Sequence, residues 1–187
     1  MSTEEILFQD SFAGSIDTDW TWLREDPACW RSADDALEIR VEPGVAGTVK
    51  NALLRPAPDR REGSYAIDVT VTNLSLPIQQ YEQAGITWYV DDKPVFKIVK
   101  ELIDCELFII PGRAPMDSVT VELRVIVNAD SFTAQFRPDG KTEFQTAATG
   151  ELAAPGEDQV SIQCYNGPPE AEHWIQFRNF KITKLND

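Results

Sequence analysis

At 187 residues the chain is long enough for one domain that buries about 70% of its unfolded surface without disulfide or metal staples. Its 42% hydrophobic content and five tryptophans exclude global disorder. A formal net charge of −14 argues against nucleic acid and anionic membranes as partners and favours a neutral or cationic one.

The opening, "MSTEEILFQDSF", has neither a basic leader nor an apolar one, and no run approaches the roughly 18 apolar residues of a membrane span. A cytoplasmic protein is expected, with a trimmed secreted chain as the alternative. An irregular, acid-rich stretch follows and carries Trp20, Trp22 and Trp30. Strict alternation then takes over. Tyr65, Ile67, Val69 and Val71 oppose Ala66, Asp68, Thr70 and Thr72, and Ile86, Trp88 and Val90 oppose Gly85, Thr87 and Tyr89. From Pro94 a strand ascends with Val95, Lys97, Val99 and Glu101 on one side and Phe96, Ile98 and Lys100 on the other. "IDCE" is read as its turn, with Asp104 inside it, and "LFIIPG" as the descending partner.

Val119, Val121, Leu123, Val125 and Val127 make the next strand, and Phe132, Ala134 and Phe136 the one after. Asp139-Gly140 is the expected hairpin turn behind it. "AATGELAAPGED", near 147–158, is small and polar and is expected to be a surface loop with one helical turn. Val160, Ile162 and Cys164 oppose Ser161, Gln163 and Tyr165. The last strand changes face midway: His173, Ile175 and Phe177 have one parity, Phe180 and Ile182 the other, which requires a bulge or bend near Arg178-Asn179. Half-buried strands of this kind predict an all-β, two-sheet antiparallel sandwich of jelly-roll type over residues 1–187. Cys29, Cys105 and Cys164 are an odd, widely spaced set, and Cys105 and Cys164 are expected as buried free thiols.

"DSFAGSIDTDWTWLREDPACWRSADDALEIRVEPG" resembles the opening of concanavalin A-like sandwich domains found beside family 43 glycosidases and in stand-alone DUF1349-type proteins. "EQAGITWYVDDKPVFKIVKE", "VELRVIVNADSFTAQFRPDGKTEF" and "HWIQFRNFKI" resemble later strands of that family in the correct order. The family's "S-x-DG" hairpin reads Arg137-Pro138-Asp139-Gly140 here. The resemblance implies a concanavalin A-like jelly roll and a carbohydrate-binding or accessory role on the concave sheet face.

Glu101, Asp104 and Glu106 are the candidate carboxylates for glycoside hydrolysis. Glu101 and Asp104, three residues apart, fall on opposite sides of a regular strand, and a hairpin is the simpler reading. If Ile86 and Trp88 are core, Thr87 and Tyr89 line the outer face beside Lys97 and Glu101, with Lys100 able to replace Lys97 if the strand's parity is reversed. An aromatic plane with flanking polar groups suits a sugar; a plain cross-strand salt bridge is the competing reading. Trp22 is either a member of a tryptophan platform or core or edge cover, the commoner place for a tryptophan in such a sandwich, and Tyr165 and Asn166, strand-end residues beside a Gly-Pro-rich loop, either bind a ligand or pack the loop. Asp17, Asp19, Asp91 and Asp92 are either solvated acids or ligands of a structural Ca²⁺, and lone His173 is expected to be packed or on the surface. Three functions follow: a non-catalytic carbohydrate-binding module, a glycoside hydrolase, or an intracellular interaction domain.

Overall fold

The computed structural model describes residues 5–140 and 142–186. Its first strands are β1 (Glu5–Asp10), β2 (Thr21–Leu23), β3 (Trp30–Ser32), β4 (Leu37–Arg40) and β5 (Ala52–Pro56). The middle of the chain forms β6 (Tyr65–Asn73), β7 (Gln83–Val90), β8 (Lys93–Ile103), β9 (Glu106–Ile110) and β10 (Ala114–Pro115). The remainder forms β11 (Thr120–Val127), β12 (Ser131–Arg137), β13 (Gln145–Glu151), β14 (Asp158–Tyr165) and β15 (Trp174–Lys184). One sheet runs β13-β12-β11-β6-β15-β4-β3 with β1 added beside β15; the other runs β10-β9-β8-β7-β14-β5-β2. All pairs are antiparallel. The result is the expected two-sheet sandwich. Among the described residues no helix is long and apolar enough to cross a membrane.

Alternation decides which residues meet between the sheets. Val121, Leu123, Val125, Ile67 and Val69 from one sheet and Ile86, Trp88, Ile98, Val160 and Ile162 from the other are fully or almost fully buried. Phe96 and Phe132 stack across the gap at 3.8 Å between ring centroids, with Trp88 next to Phe96 at 5.9 Å. Burying such side chains contributes about 1.5–3 kcal/mol each. Near the N-terminus Asp10 accepts hydrogen bonds from the Phe12 and Asp17 amides and the Trp20 indole, at 2.7, 3.1 and 2.9 Å. One buried carboxylate thus organises the irregular segment before β2.

Much of the acidity serves turns. Asp34-Asp35, Asp91-Asp92 and Asp104-Cys105 all carry positive φ, between 49° and 68°, in tight connections between paired strands. Aspartate tolerates this left-handed region better than most residues, and the pattern is that of a two-residue type I′ hairpin. The bend expected near Arg178-Asn179 is present as a register shift between Arg178 and Lys181, with Asn179 at φ 54°. It lets the first half of β15 pair with β4 and the second half with β1.

Three expectations are corrected. Cys105 is exposed, because it occupies the outer corner of the β8–β9 turn; Cys29 and Cys164 are buried, and all three thiols are free. The stretch expected as a loop near 147–158 begins with β13, an edge strand whose small side chains face solvent or lie half-buried and so show no alternation. Asp139-Gly140 does not close a tight hairpin: β12 ends at Arg137 and β13 starts at Gln145. Phe144 in that connection lies between the Arg124 and Arg137 guanidinium groups, at 4.0 and 4.3 Å.

The glycine of "QAG" has a steric reason. A Cβ on Gly85 would lie 2.2 Å from the Ile98 carbonyl oxygen and 2.9 Å from a Leu123 methyl. Because the nearest obstacle is backbone of the neighbouring strand, little can give way. Gly85→Ala is expected to destabilise the protein by about 3 kcal/mol, toward the upper end of overpacking costs, read as a lower urea midpoint at unchanged slope.

Candidate functional site

The outer face of the seven-stranded sheet carries a second, smaller apolar cluster, separate from the core: Val49, Ala52, Leu54, Tyr89 and Tyr165, with Leu23 against it. Cross-strand register places polar residues beside these. Thr87 is opposite Lys97 and Ser161, Gln83 is opposite Glu101 and Tyr165, and Gly85 is opposite Gln163. The Lys97 ammonium donates to Gln83 Oε1, to Glu101 Oε2 at 3.4 Å and to the Tyr165 hydroxyl at 3.4 Å. The Tyr89 hydroxyl donates to Gln163 Oε1 at 3.0 Å, and Ser161 donates to the same oxygen at 3.1 Å. Thr87 Oγ1 is buried and has no hydrogen-bond partner among the described residues.

Burial sets the chemistry of this cluster. It pushes the Tyr165 phenol up to about 12, with the Glu101 charge adding to the effect, and it raises Tyr89 as well. Both phenols therefore remain neutral donors at physiological pH. Only the Lys97 side chain, 31% exposed, reaches solvent appreciably from the Lys97–Glu101 pair; that of Glu101 is 9% exposed.

The face opens at the Tyr89 end. A cavity of about 530 Å³ is lined there by Leu23, Ala46, Gly47, Leu54, Tyr89 and Pro94, with Arg24 and Asp92 as its charged residues. Apolar walls with one carboxylate and one guanidinium can take the C–H face of a sugar and bond its hydroxyls.

The sequence-derived candidates divide clearly. Thr87, Tyr89, Lys97, Glu101 and Tyr165 come together on one face. Trp22 does not: it is paired with Leu53 on the core side of the sheet and packs against Trp30 at 4.8 Å, because β2 turns Leu23 outward instead. Trp20 is buried in the core. Asn166 holds a loop, donating to the Gln80 carbonyl at 2.9 Å. Lys100 does not replace Lys97; it points inward and is buried. Asp104 is at the exposed hairpin corner, 3.3 Å from Arg113, and is not brought to Glu101. Glu106 shares the parity of Phe108, which pairs with Glu101, but is exposed beyond the cluster.

The acid pairs considered for Ca²⁺ are used in turns. Asp17 accepts from the Asp19 amide and Asp91 from the Glu157 amide. Among the described residues no three His, Cys, Asp or Glu side chains gather as a metal-holding group. His173 is packed, with Nδ1 2.7 Å from the buried Glu82 carboxylate. Arg24, Gln83, Asp92 and Gln163 are the members that sequence patterning missed. Gln83 and Gln163 were legible as outward positions of their strands, whereas nothing local signals that Arg24 and Asp92 share a cavity.

A sandwich of these two sheets is a concanavalin A-like fold, and solved structures bear this out. A GH43 protein from Bacillus licheniformis superposes with a TM-score of 0.81 at 18% identity, over 95% of this chain and 39% of that one. A xylan β-1,4-xylosidase from Bacillus halodurans gives 0.70 at 13% identity, over 94% and 39%. A functionally unknown protein from Saccharomyces cerevisiae gives 0.60 at 13% identity, over 90% and 98%. The chain thus spans about two fifths of the GH43 chain and of the xylosidase. No protein-family model matches the sequence, and no curated protein matches it.

Proposed function

We propose that the protein is a non-catalytic carbohydrate-binding or accessory module that holds sugar on the outer face of the seven-stranded sheet, the face that the resemblance makes concave. The observation that carries this reading is the cavity beside Tyr89, where apolar walls and the Arg24 and Asp92 side chains share one opening. Kinship of fold with modules of carbohydrate-active enzymes supports it. The arrangement of acids favours binding over hydrolysis: Glu101 is engaged by Lys97, and Asp104 belongs to a turn.

Affinity electrophoresis and calorimetry with xylan fragments and a broader glycan panel test the reading. Asp92→Asn keeps a residue that tolerates the positive φ of 61° while removing the charge. It is expected to weaken binding about tenfold, equivalent to ~1.4 kcal/mol. Tyr89→Ala is expected to weaken it at least as much. If no glycan binds the unmodified protein, the reading is wrong.

A further inference from the structure

Part of the outer face, at Tyr89 and Tyr165, is covered by a piece of the chain itself. Residues 43–50 run across the Tyr89–Tyr165 cluster between β4 and β5. Six of the eight are solvent-exposed, Val45 and Ala46 among them, and Gly44 is half-buried; Val49 alone is buried, 1% exposed, against Ala52, Leu54, Tyr89 and Tyr165. The segment is closed on itself, the Val45 carbonyl accepting from the Thr48 amide at 2.8 Å and Thr48 Oγ1 accepting from the Val45 amide at 3.1 Å. Arg24, just past the end of β2, donates from Nη1 to the Val49 carbonyl at 3.1 Å. Anchors lie at its ends, where Gly167 donates to the Glu42 carbonyl at 3.0 Å and Asn51 to the Arg24 carbonyl at 3.2 Å. Gly44, at φ 132°, provides a backbone position that few other residues adopt.

On the same face, next to the covered Tyr89 and Tyr165, lie further polar groups. Thr87 is 97% buried, and its Oγ1 has no partner among the described residues. The Lys97 ammonium, the Glu101 carboxylate and the Tyr165 hydroxyl converge within 3.4 Å contacts next to it. A buried unpaired hydroxyl is costly unless something bonds it. Ala46 and Gly47 of the strap also line the open cavity, and Tyr89 belongs both to that cavity and to the cluster that Val49 covers.

We propose that residues 43–50 form a lid, and that lifting Val49 from Tyr89 and Tyr165 joins the open cavity to a second subsite built from Thr87, Lys97, Glu101 and Tyr165. The joined groove takes a polyhydroxylated ligand longer than one ring, a neutral oligosaccharide: the ion pair offsets its own charge, and the remaining groups are hydroxyls and amides. This deepens the carbohydrate reading and rests on it for the ligand, while the lid itself has a readout that needs no sugar.

The four tyrosines report the lid. Tyr81 is exposed, Tyr89 and Tyr165 are under the strap, and Tyr65 is in the core between the sheets. Nitration by tetranitromethane, followed by peptide mass spectrometry, is expected to modify Tyr81 first and Tyr65 last. Val49→Ala is expected to speed nitration of Tyr165 and Tyr89 at least fivefold while leaving Tyr65 unchanged. If Tyr165 and Tyr89 stay as slow as in the unmodified chain, or react only in step with Tyr65, the strap is a fixed wall and the lid is refuted. Xylotriose and xylose then probe the second subsite. Xylotriose is expected to bind at least tenfold more tightly, with Thr87→Val abolishing that advantage but not xylose binding. Binding of both sugars without a length advantage overturns the second subsite and leaves the carbohydrate reading intact. Binding of neither overturns the ligand assigned to the groove, and the absence of any binder in the glycan panel overturns the carbohydrate reading, whatever the nitration shows.

Discussion

Arg60→Ala is expected to destabilise the protein by about 3–5 kcal/mol, the usual cost of stripping one partner from a buried ion pair. The Arg60 side chain has no exposed surface. Its Nε donates to Asp158 Oδ2 at 2.8 Å, and its terminal nitrogens donate to the Ala129 and Ala153 carbonyls. One guanidinium therefore holds the β5–β6 connection to the β11–β12 turn, the β13–β14 connection and the start of β14. Truncation leaves a carboxylate whose side chain is 7% exposed without its cation, and Asp158 Oδ1 already has no partner. A fall in melting temperature of about 10 °C follows for a chain of this size. Adding Asp158→Asn to Arg60→Ala is expected to recover part of the loss by removing the stranded charge. A loss below about 1 kcal/mol for Arg60→Ala would show that water enters and solvates the site.

Lys100→Met is expected to act in the opposite direction and raise stability at pH 6, by about as much as the 1–4 kcal/mol seen when packed apolar side chains replace a buried ion pair. Lys100 is 2% exposed and its ammonium donates to the Ser118 and Val119 carbonyls. Burial pushes its pKa down from the ordinary 10.5 to about 7. Between those values the unfolded chain holds the proton and the folded chain has released it, so stability rises with pH across that window. Below pH 7 both states are charged and the folded state bears the full desolvation cost. The gain from methionine should therefore be largest below pH 7 and shrink steadily toward pH 10. Urea unfolding at pH 6, 8 and 10 measures it. A gain that is flat with pH would mean the lysine keeps its proton in the folded state throughout.

Lys97 and Lys100 show how far sequence carries and where it stops. Their odd separation on one strand dictates that one faces inward and one outward, and alternation in β7 names Thr87 and Tyr89 as neighbours of the outward one. The same arithmetic separates Glu101 from Asp104. Reading that arithmetic needs only the two-residue period of a strand. The bend at Arg178-Asn179 was legible for the same reason, as a change of parity within one apolar run.

What stayed illegible is what alternation does not encode. β13 is an edge strand that buries little on either side, so its residues are free of the apolar pattern that marks other strands. Cys105 looked buried because its neighbours are apolar, but the positive φ at Asp104 and Cys105 puts the thiol at an exposed corner. For Trp22 the sequence left platform and core cover both open, and only its pairing with Leu53 turns it to the core.

By itself, then, the sequence determined the class of fold, the two faces of most strands, and the polar–aromatic character of one outer face, because each follows from local periodicity and backbone sterics. Only the tertiary structure decided that Arg24, Val49 and Asp92 meet Tyr89, that a strap covers Tyr165, and that Arg60 ties three connections together. Those contacts join segments far apart in the chain, through side chains whose positions are set by strand order and register across the sheet. A two-residue period specifies which side of a strand a residue takes; it does not specify which strand lies beside it.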